Sequence, residues 1–165
     1  MKVIVMGVAG CGKSSVGTAV AEELNARYFD GDDLHPQSNI DKMAAGVPLN
    51  DEDRAPWLDK VGAALAEADG ATLVGCSALK RAYRDRIRAA CPETIFAHLA
   101  GSRAVIEARM SKREGHFMPV SLLDSQFATL EPLQADEAGF AVDIAQEFGA
   151  VVTQMATRLA AGLGG

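Results

Sequence analysis

Val3-Ile4-Val5-Met6, followed at once by Gly7-Val8-Ala9-Gly10-Cys11-Gly12-Lys13-Ser14, is the stretch that decides the fold: an apolar strand running into a glycine-rich turn of pattern GxxxxGKS. Such a turn binds phosphate. Its glycines let consecutive backbone N–H groups point inward at an anion, Lys13 reaches the β and γ oxygens of a nucleotide, and the Ser14 hydroxyl suits Mg²⁺. Ser15 to Leu24 continue as a helix, so a helix N-terminus and its dipole face the same anion. Gly7, Ala9, Gly10, Cys11, Gly12, Lys13, Ser14 and Ser15 are the candidate nucleotide contacts.

Outward from this loop, strands and helices alternate. Arg27-Tyr28-Phe29, Ala71 to Gly75, Thr94 to Leu99 and Phe140 to Ile144 read as further strands. Helices are predicted around Ile40 to Ala45, from an N-cap at Asn50 with Trp57, Val61 and Leu65 on one face, and over Ala82 to Ala90. Others run from a Ser102 cap to about Lys112 and from Pro119 through Leu130, and a closing helix carries Val151, Met155, Leu159 and Leu163 on its apolar face. The alternation predicts an α/β fold of three layers, the P-loop NTPase arrangement. A five-stranded parallel sheet is flanked by helices, with ligands at the carboxyl ends of the strands.

A chain of 165 residues has the size of one domain, and no linker, repeat or low-complexity segment interrupts it. A formal charge of −6 without any Lys/Arg-rich block argues against a nucleic-acid surface, so an anion site must be built locally. The longest apolar stretches are strand-sized and the opening segment reads as a strand rather than a signal peptide; no membrane partner and a cytoplasmic location are expected. Cys11, Cys76 and Cys91 show no CxxC spacing, which fits a reducing compartment and speaks against a disulfide framework or a zinc site. Cys11 reads as a small loop residue, with a reactive thiol beside the loop N–H groups as the alternative.

The second informative cluster is Asp30-Gly31-Asp32-Asp33-Leu34-His35-Pro36, at the carboxyl end of the second strand. Taken alone it is a solvated turn. Beside a phosphate loop it supplies what phosphoryl transfer needs: Asp32 to orient an attacking hydroxyl and accept its proton, and Asp30 to hold the metal's waters, with Ser14 as the other metal-side residue. His35 either donates to a substrate oxygen or merely caps the turn.

DGDxLHP, Asn39-Ile40-Asp41-Lys42-Met43, Gly46-Val47-Pro48-Leu49-Asn50-Asp51-Glu52-Asp53-Arg54 and Trp57-Leu58 together closely resemble the bacterial gluconate kinases of the shikimate-kinase-like P-loop group. Cys76-Ser77-Ala78-Leu79-Lys80-Arg81, Tyr83-Arg84-Asp85, Gly115-His116-Phe117, Gln126-Phe127 and Thr129-Leu130 extend the resemblance over most of the chain. It implies ATP-dependent phosphorylation of D-gluconate on its 6-hydroxyl, with Mg²⁺ as cofactor and a homodimer as the usual assembly.

Gluconate carries a carboxylate at one end and the reacting hydroxyl at the other, so its site needs a cation and a row of polar groups. Arg54 suits the acid, since arginine's planar fork pairs bidentately and its position resembles the acid-binding arginine of related small-acid kinases; a surface pair with Asp51 or Glu52 is the competing reading. Ser77, Lys80 and Arg81 follow the third strand and face the same cleft, although Arg81, Arg84, Arg86 and Arg88 also read as a solvated helix face. Arg109 and Arg113 have the RxxxR spacing of shikimate kinases, which places Arg109 against adenine and Arg113 on the transferring phosphoryl group, with a solvated helix end as the alternative for both. The Lys/Arg/Glu/Gly/His stretch over about 112–120 reads as a small mobile lid, with Gly115 as hinge and His116 as a polar contact. His98, inside an apolar strand, is read as a core or edge residue.

Shikimate kinases carry a glycine triplet after the third strand and a second acid-binding arginine beyond the lid. Here Cys76-Ser77-Ala78 and Gln126 stand there, which argues against shikimate and makes Gln126 a candidate acceptor contact. Residues after Asp143 are expected near the adenine by analogy of fold, and 131–137 reads as a loop without an evident role. Two rivals remain: a P-loop kinase acting on another small acceptor, and a nucleotide-gated binding module without catalysis.

Overall fold

The computed structural model describes residues 1–111 and 120–162. Five parallel strands, β1 (Lys2–Met6), β2 (Arg27–Asp30), β3 (Thr72–Gly75), β4 (Ile95–Ala100) and β5 (Gly139–Asp143), lie in the order β2-β3-β1-β4-β5. Val3 is level with Leu73 on one side and Ile95 on the other. A central strand covered on both faces must be apolar throughout rather than alternating, and β1 is buried from Lys2 to Met6. At the sheet's edge, β5 alternates instead, turning Phe140 and Val142 inward.

Helices α1 (Lys13–Glu23) and α7 (Phe148–Ala160) cover one face of the sheet. Val16 and Val20 of α1 meet Val151, Met155 and Leu159 of α7 there, the four-residue spacing read from the sequence. The other face is covered by α3 (Asp51–Glu67) and α4 (Arg81–Ala90), through Trp57, Val61, Leu65 and Ile87. Between β2 and α3 lie a short 3-10 turn (Gly31–Leu34) and α2 (Gln37–Ala44); α5 (Arg103–Ser111) and α6 (Val120–Thr129) follow β4. Asn50 caps α3 with a complete capping box: its side chain accepts from the Asp53 N–H at 2.8 Å, and Asp53 accepts from the Asn50 N–H at 3.0 Å. Because β1 leads into α1 on one face and β3 into α4 on the other, the loops after these neighbouring strands part, and a crevice opens at their carboxyl ends.

Of the arginine run of α4, Arg86 lies on a solvated face, but Arg84 does not. Arg84 is fully buried and paired with Glu137 at 2.8 and 3.0 Å, while Arg88 reaches the same carboxylate at 2.8 Å. Burial pushes Glu137 up, but hydrogen bonds from Arg84, the Gln134 N–H and Arg88 outweigh it and draw the carboxyl down to about 2. The 131–137 segment thus closes over the buried end of α4 and supplies its counterion. Arg84 also donates to the carbonyls of Ala78 and Leu79 at 2.9 and 3.3 Å, and Ala78 is held in the left-handed region at φ 47°. A buried guanidinium therefore clamps the turn that follows β3.

Candidate active site

The phosphate loop takes its shape from its own glycines. Gly12 sits at φ 97° immediately before α1, a conformation a side chain would strain, and the helix starts at Lys13 with its first N–H groups turned to the crevice. Lys13 lies back along the loop, donating to the Gly7 and Val8 carbonyls at 3.1 and 3.3 Å. Ala9, Gly10, Gly12, Lys13, Ser14 and Ser77 line one cleft with Tyr28, Asp30 and Asp32. Ser15 is exposed in the first turn of α1. The Ser77 carbonyl accepts from the Gly7 N–H at 3.3 Å, tying the loops after β1 and β3 together. Cys11 is wholly buried and burial pushes its thiol up, so it packs the loop and is no exposed nucleophile.

Across the cleft, Asp30 ends β2 and accepts from the Ser14 hydroxyl at 3.4 Å and from the Asp32 N–H at 3.0 Å. Two hard oxygen donors beside a phosphate loop fit Mg²⁺, which takes one or two protein ligands and keeps waters and phosphate oxygens for the rest. Asp32 follows in the 3-10 turn with its side chain open to solvent. His35 lies flat on Trp57, with ring centroids 4.1 Å apart at 15°, and Trp57 donates its indole N–H to the Gly31 carbonyl at 2.8 Å.

A second pocket, of about 620 Å³ and roomy for a six-carbon acid, is lined by residues 48–52, Arg54, Lys80, Tyr83, Ser125 and Thr129. Its polar centre is the Tyr83 hydroxyl, which donates to Asp51 at 2.5 Å and lies 3.3 Å from Arg54. Lys80 approaches Asp51 at 3.4 Å, and Arg54 stands 3.9 Å from it. Hydrogen bonds from Tyr83 and Lys80 lower the Asp51 carboxyl. Arg54 thus lines the pocket, and the competing ion pair with Asp51 is present beside it. The Arg54 charge is felt at His35.

Arg81, expected at the acceptor, is turned elsewhere. Its guanidinium is held by Asp136 at 2.7 and 2.8 Å and by Gln134 at 2.7 Å, because the 131–137 segment presents those acceptors to the first turn of α4. Gln126 reaches the phosphate loop, where its Oε1 accepts from the Ala9 N–H at 2.6 Å. Arg109 donates to the Ile144 and Gln146 carbonyls, bringing α5 and the segment after β5 together near Gly12. Arg113, Gly115, His116 and, apart from Val120, the expected lid over about 112–120 lie outside the described residues. His98 is buried within β4 and burial pushes its ring down to about 4, as suits a core residue.

Three residues around the site escaped the sequence reading. Tyr83 stands three residues after Lys80, a spacing that puts both on one side of the first turn of α4. Tyr28 projects from β2 into the cleft, where a Cβ on Gly75 would come within 2.1 Å of its hydroxyl, so the glycine at the end of β3 is required by the tyrosine. Asn39 is 2% exposed and hydrogen-bonded between His35 and Asp53.

A glycine-rich GxxxxGKS turn opening a helix at the carboxyl ends of a five-stranded parallel sheet places the chain among the P-loop phosphotransferases. A shikimate kinase family profile matches residues 9–126. The thermosensitive gluconokinase of Escherichia coli is 48% identical over 155 residues, covering 92% of this chain and 83% of its own. An unliganded sugar kinase from a Janibacter species superposes with a TM-score of 0.87 at 46% identity, covering 98% of this chain and 95% of the other. A gluconokinase from Sinorhizobium meliloti gives 0.83 at 45%, covering 96% and 95%. The chain belongs to the gluconokinases, within the shikimate kinase family.

Proposed function

We infer that this protein phosphorylates D-gluconate on its 6-hydroxyl at the expense of ATP, giving 6-phosphogluconate and ADP. The observation that carries the reading is the pairing of a phosphate loop that faces Asp30 and Asp32 with a pocket in which Arg54, Lys80 and Tyr83 surround one carboxylate. Gluconate's carboxylate displaces Asp51 from these cations, and its far end reaches back to Asp32. That its relatives are gluconokinases favours gluconate over shikimate or a nucleoside monophosphate.

In the reaction, Asp32 accepts the hydroxyl proton while the hydroxyl oxygen bonds to the γ-phosphorus and the bond from that phosphorus to the bridging oxygen breaks, releasing ADP. Lys13 leaves the Gly7 and Val8 carbonyls for the β and γ oxygens and carries the charge of the departing phosphate. Ser14 and Asp30 would hold Mg²⁺, which would neutralise phosphate charge. Arg109 serves the adenine and Arg113 the γ-phosphate in this reading. Gln126 gives up the Ala9 N–H to the nucleotide and turns toward the acceptor, and Ser77 contacts the acceptor from the β3 side. The enzyme works as a cytoplasmic homodimer of single-domain protomers. No helix among the described residues is long and apolar enough to cross a membrane.

ADP release measured across gluconate, other aldonates, shikimate and nucleoside monophosphates tests the reading. Gluconate is expected to be clearly preferred; equal or better turnover of any other acceptor overturns it.

A further inference from the structure

We propose that Asn39 is a positioning residue: it fixes the tautomer of His35 so that the Nε2–H, rather than a lone pair, faces Asp32 and the attacking hydroxyl. The inference rests on the acceptor chemistry inferred above, but its structural half stands without it. The Asn39 side-chain nitrogen donates to the Asp53 carbonyl at 2.9 Å and lies 3.2 Å from His35 Nδ1. A carbonyl only accepts, so the amide cannot be flipped without setting two oxygens against each other. Its nitrogen, with a second hydrogen and no lone pair to offer, is what His35 Nδ1 meets. Nδ1 must therefore accept, and in a neutral ring the proton sits on Nε2. Burial lowers the His35 pKa, with Arg54 assisting and Asp32 opposing, so the neutral ring is the form at pH 7.

The other supports hold the ring in place. Trp57 stacks against it and is itself pinned to the Gly31 carbonyl, while the Asp53 backbone is fixed by the α3 capping box and by an ion pair from its side chain to Lys42 at 2.8 Å. His35 Nε2 stands 3.9 Å from Asp32 Oδ1. That is too long for a direct hydrogen bond but suits an oxygen bonded to both. A hydroxyl there donates its hydrogen to Asp32, accepts from His35 with one lone pair and keeps the other for phosphorus. The opposite tautomer would place a second acceptor beside Asp32, dividing the hydroxyl proton between two groups and turning the nucleophilic lone pair away.

Long-range ¹H–¹⁵N spectra of the imidazoles in the full-length protein, with His35 assigned through His35→Gln, read the tautomer without any substrate. The expected wild-type pattern is protonated Nε2 and bare Nδ1, becoming mixed in Asn39→Leu. A protonated Nδ1 in the wild type, or an unchanged tautomer in Asn39→Leu, overturns the proposal. In turnover, Asn39→Leu is expected to lower kcat about tenfold or more, with the KM for ATP unchanged. His35→Gln, whose amide restores a donor near Nε2, should keep more activity than His35→Leu. Adding Asn39→Leu to His35→Gln should then cost little, because no tautomer is left to fix. An equal loss in both backgrounds would make Asn39 purely structural and the proposal wrong. A wild type inactive on gluconate but showing the expected tautomer would sink the substrate reading, not the arrangement.

Discussion

The phosphate loop and the acceptor pocket are built in opposite ways. The loop is eight consecutive residues, 7–14, shaped by glycines at fixed positions, and its one cation lies on its own carbonyls. The pocket takes Asp51 and Arg54 from α3, Lys80 and Tyr83 from around the start of α4, and Ser125 and Thr129 from α6, and its cations rest on a carboxylate from α3. A locally encoded site depends on local backbone conformation. A composite one depends on whatever holds distant elements in register, here in part the buried Arg84–Glu137 pair behind α4.

The sharpest test of the division falls at the junction. Asp32→Ala should lower kcat by about a thousandfold, within the range for loss of a general base, while leaving the KM for ATP near its wild-type value. Turnover close to wild type would show that neither half needs this carboxylate. Glu137→Gln should destabilise the fold by about 3–5 kcal/mol, since it leaves Arg84 buried without its counterion. Denaturant melts against pH give the sign: a carboxyl drawn from 4.5 to about 2 in the native state contributes stability that is full above pH 4.5 and lost as pH falls toward 2. That slope should vanish in the variant. If stability were unchanged, the pocket would not depend on its remote support. The smallest effects are two changes of opposite sign in the acceptor pocket. Arg54→Ala should raise the KM for gluconate about ten- to a hundredfold, as expected for a charge-assisted hydrogen bond. Asp51→Asn should lower it a few-fold, as expected for removing an exposed competing carboxylate. Matching signs would mean that Asp51 helps hold the acid rather than standing in for it.

Legibility in the sequence follows the same divide. The strand, glycine turn and helix of residues 3–24 were readable because each step is a short-range rule, and the apolar faces of α3 and α7 because their periodicity is set by the helix itself. The Asn50 cap was equally local. Arg84 cannot be told from its neighbours on the helix by sequence, because the partner that buries it lies 53 residues away. Arg81 failed for the same reason, its acceptors lying in a segment that had no assigned role. Tyr83 and Asn39 were present in the quoted motifs, but what they do depends on where α3 places Asp51 and Asp53, which no spacing along the chain reveals.

The stack of His35 on Trp57 has a practical consequence. This is the chain's single tryptophan, and its indole lies 4.1 Å from the ring beside Asp32. Its emission is therefore a built-in optical gauge of the acceptor side of the cleft, with no other indole to dilute it. An acceptor settling against His35 can be titrated by light alone, without label, coupling enzyme or turnover.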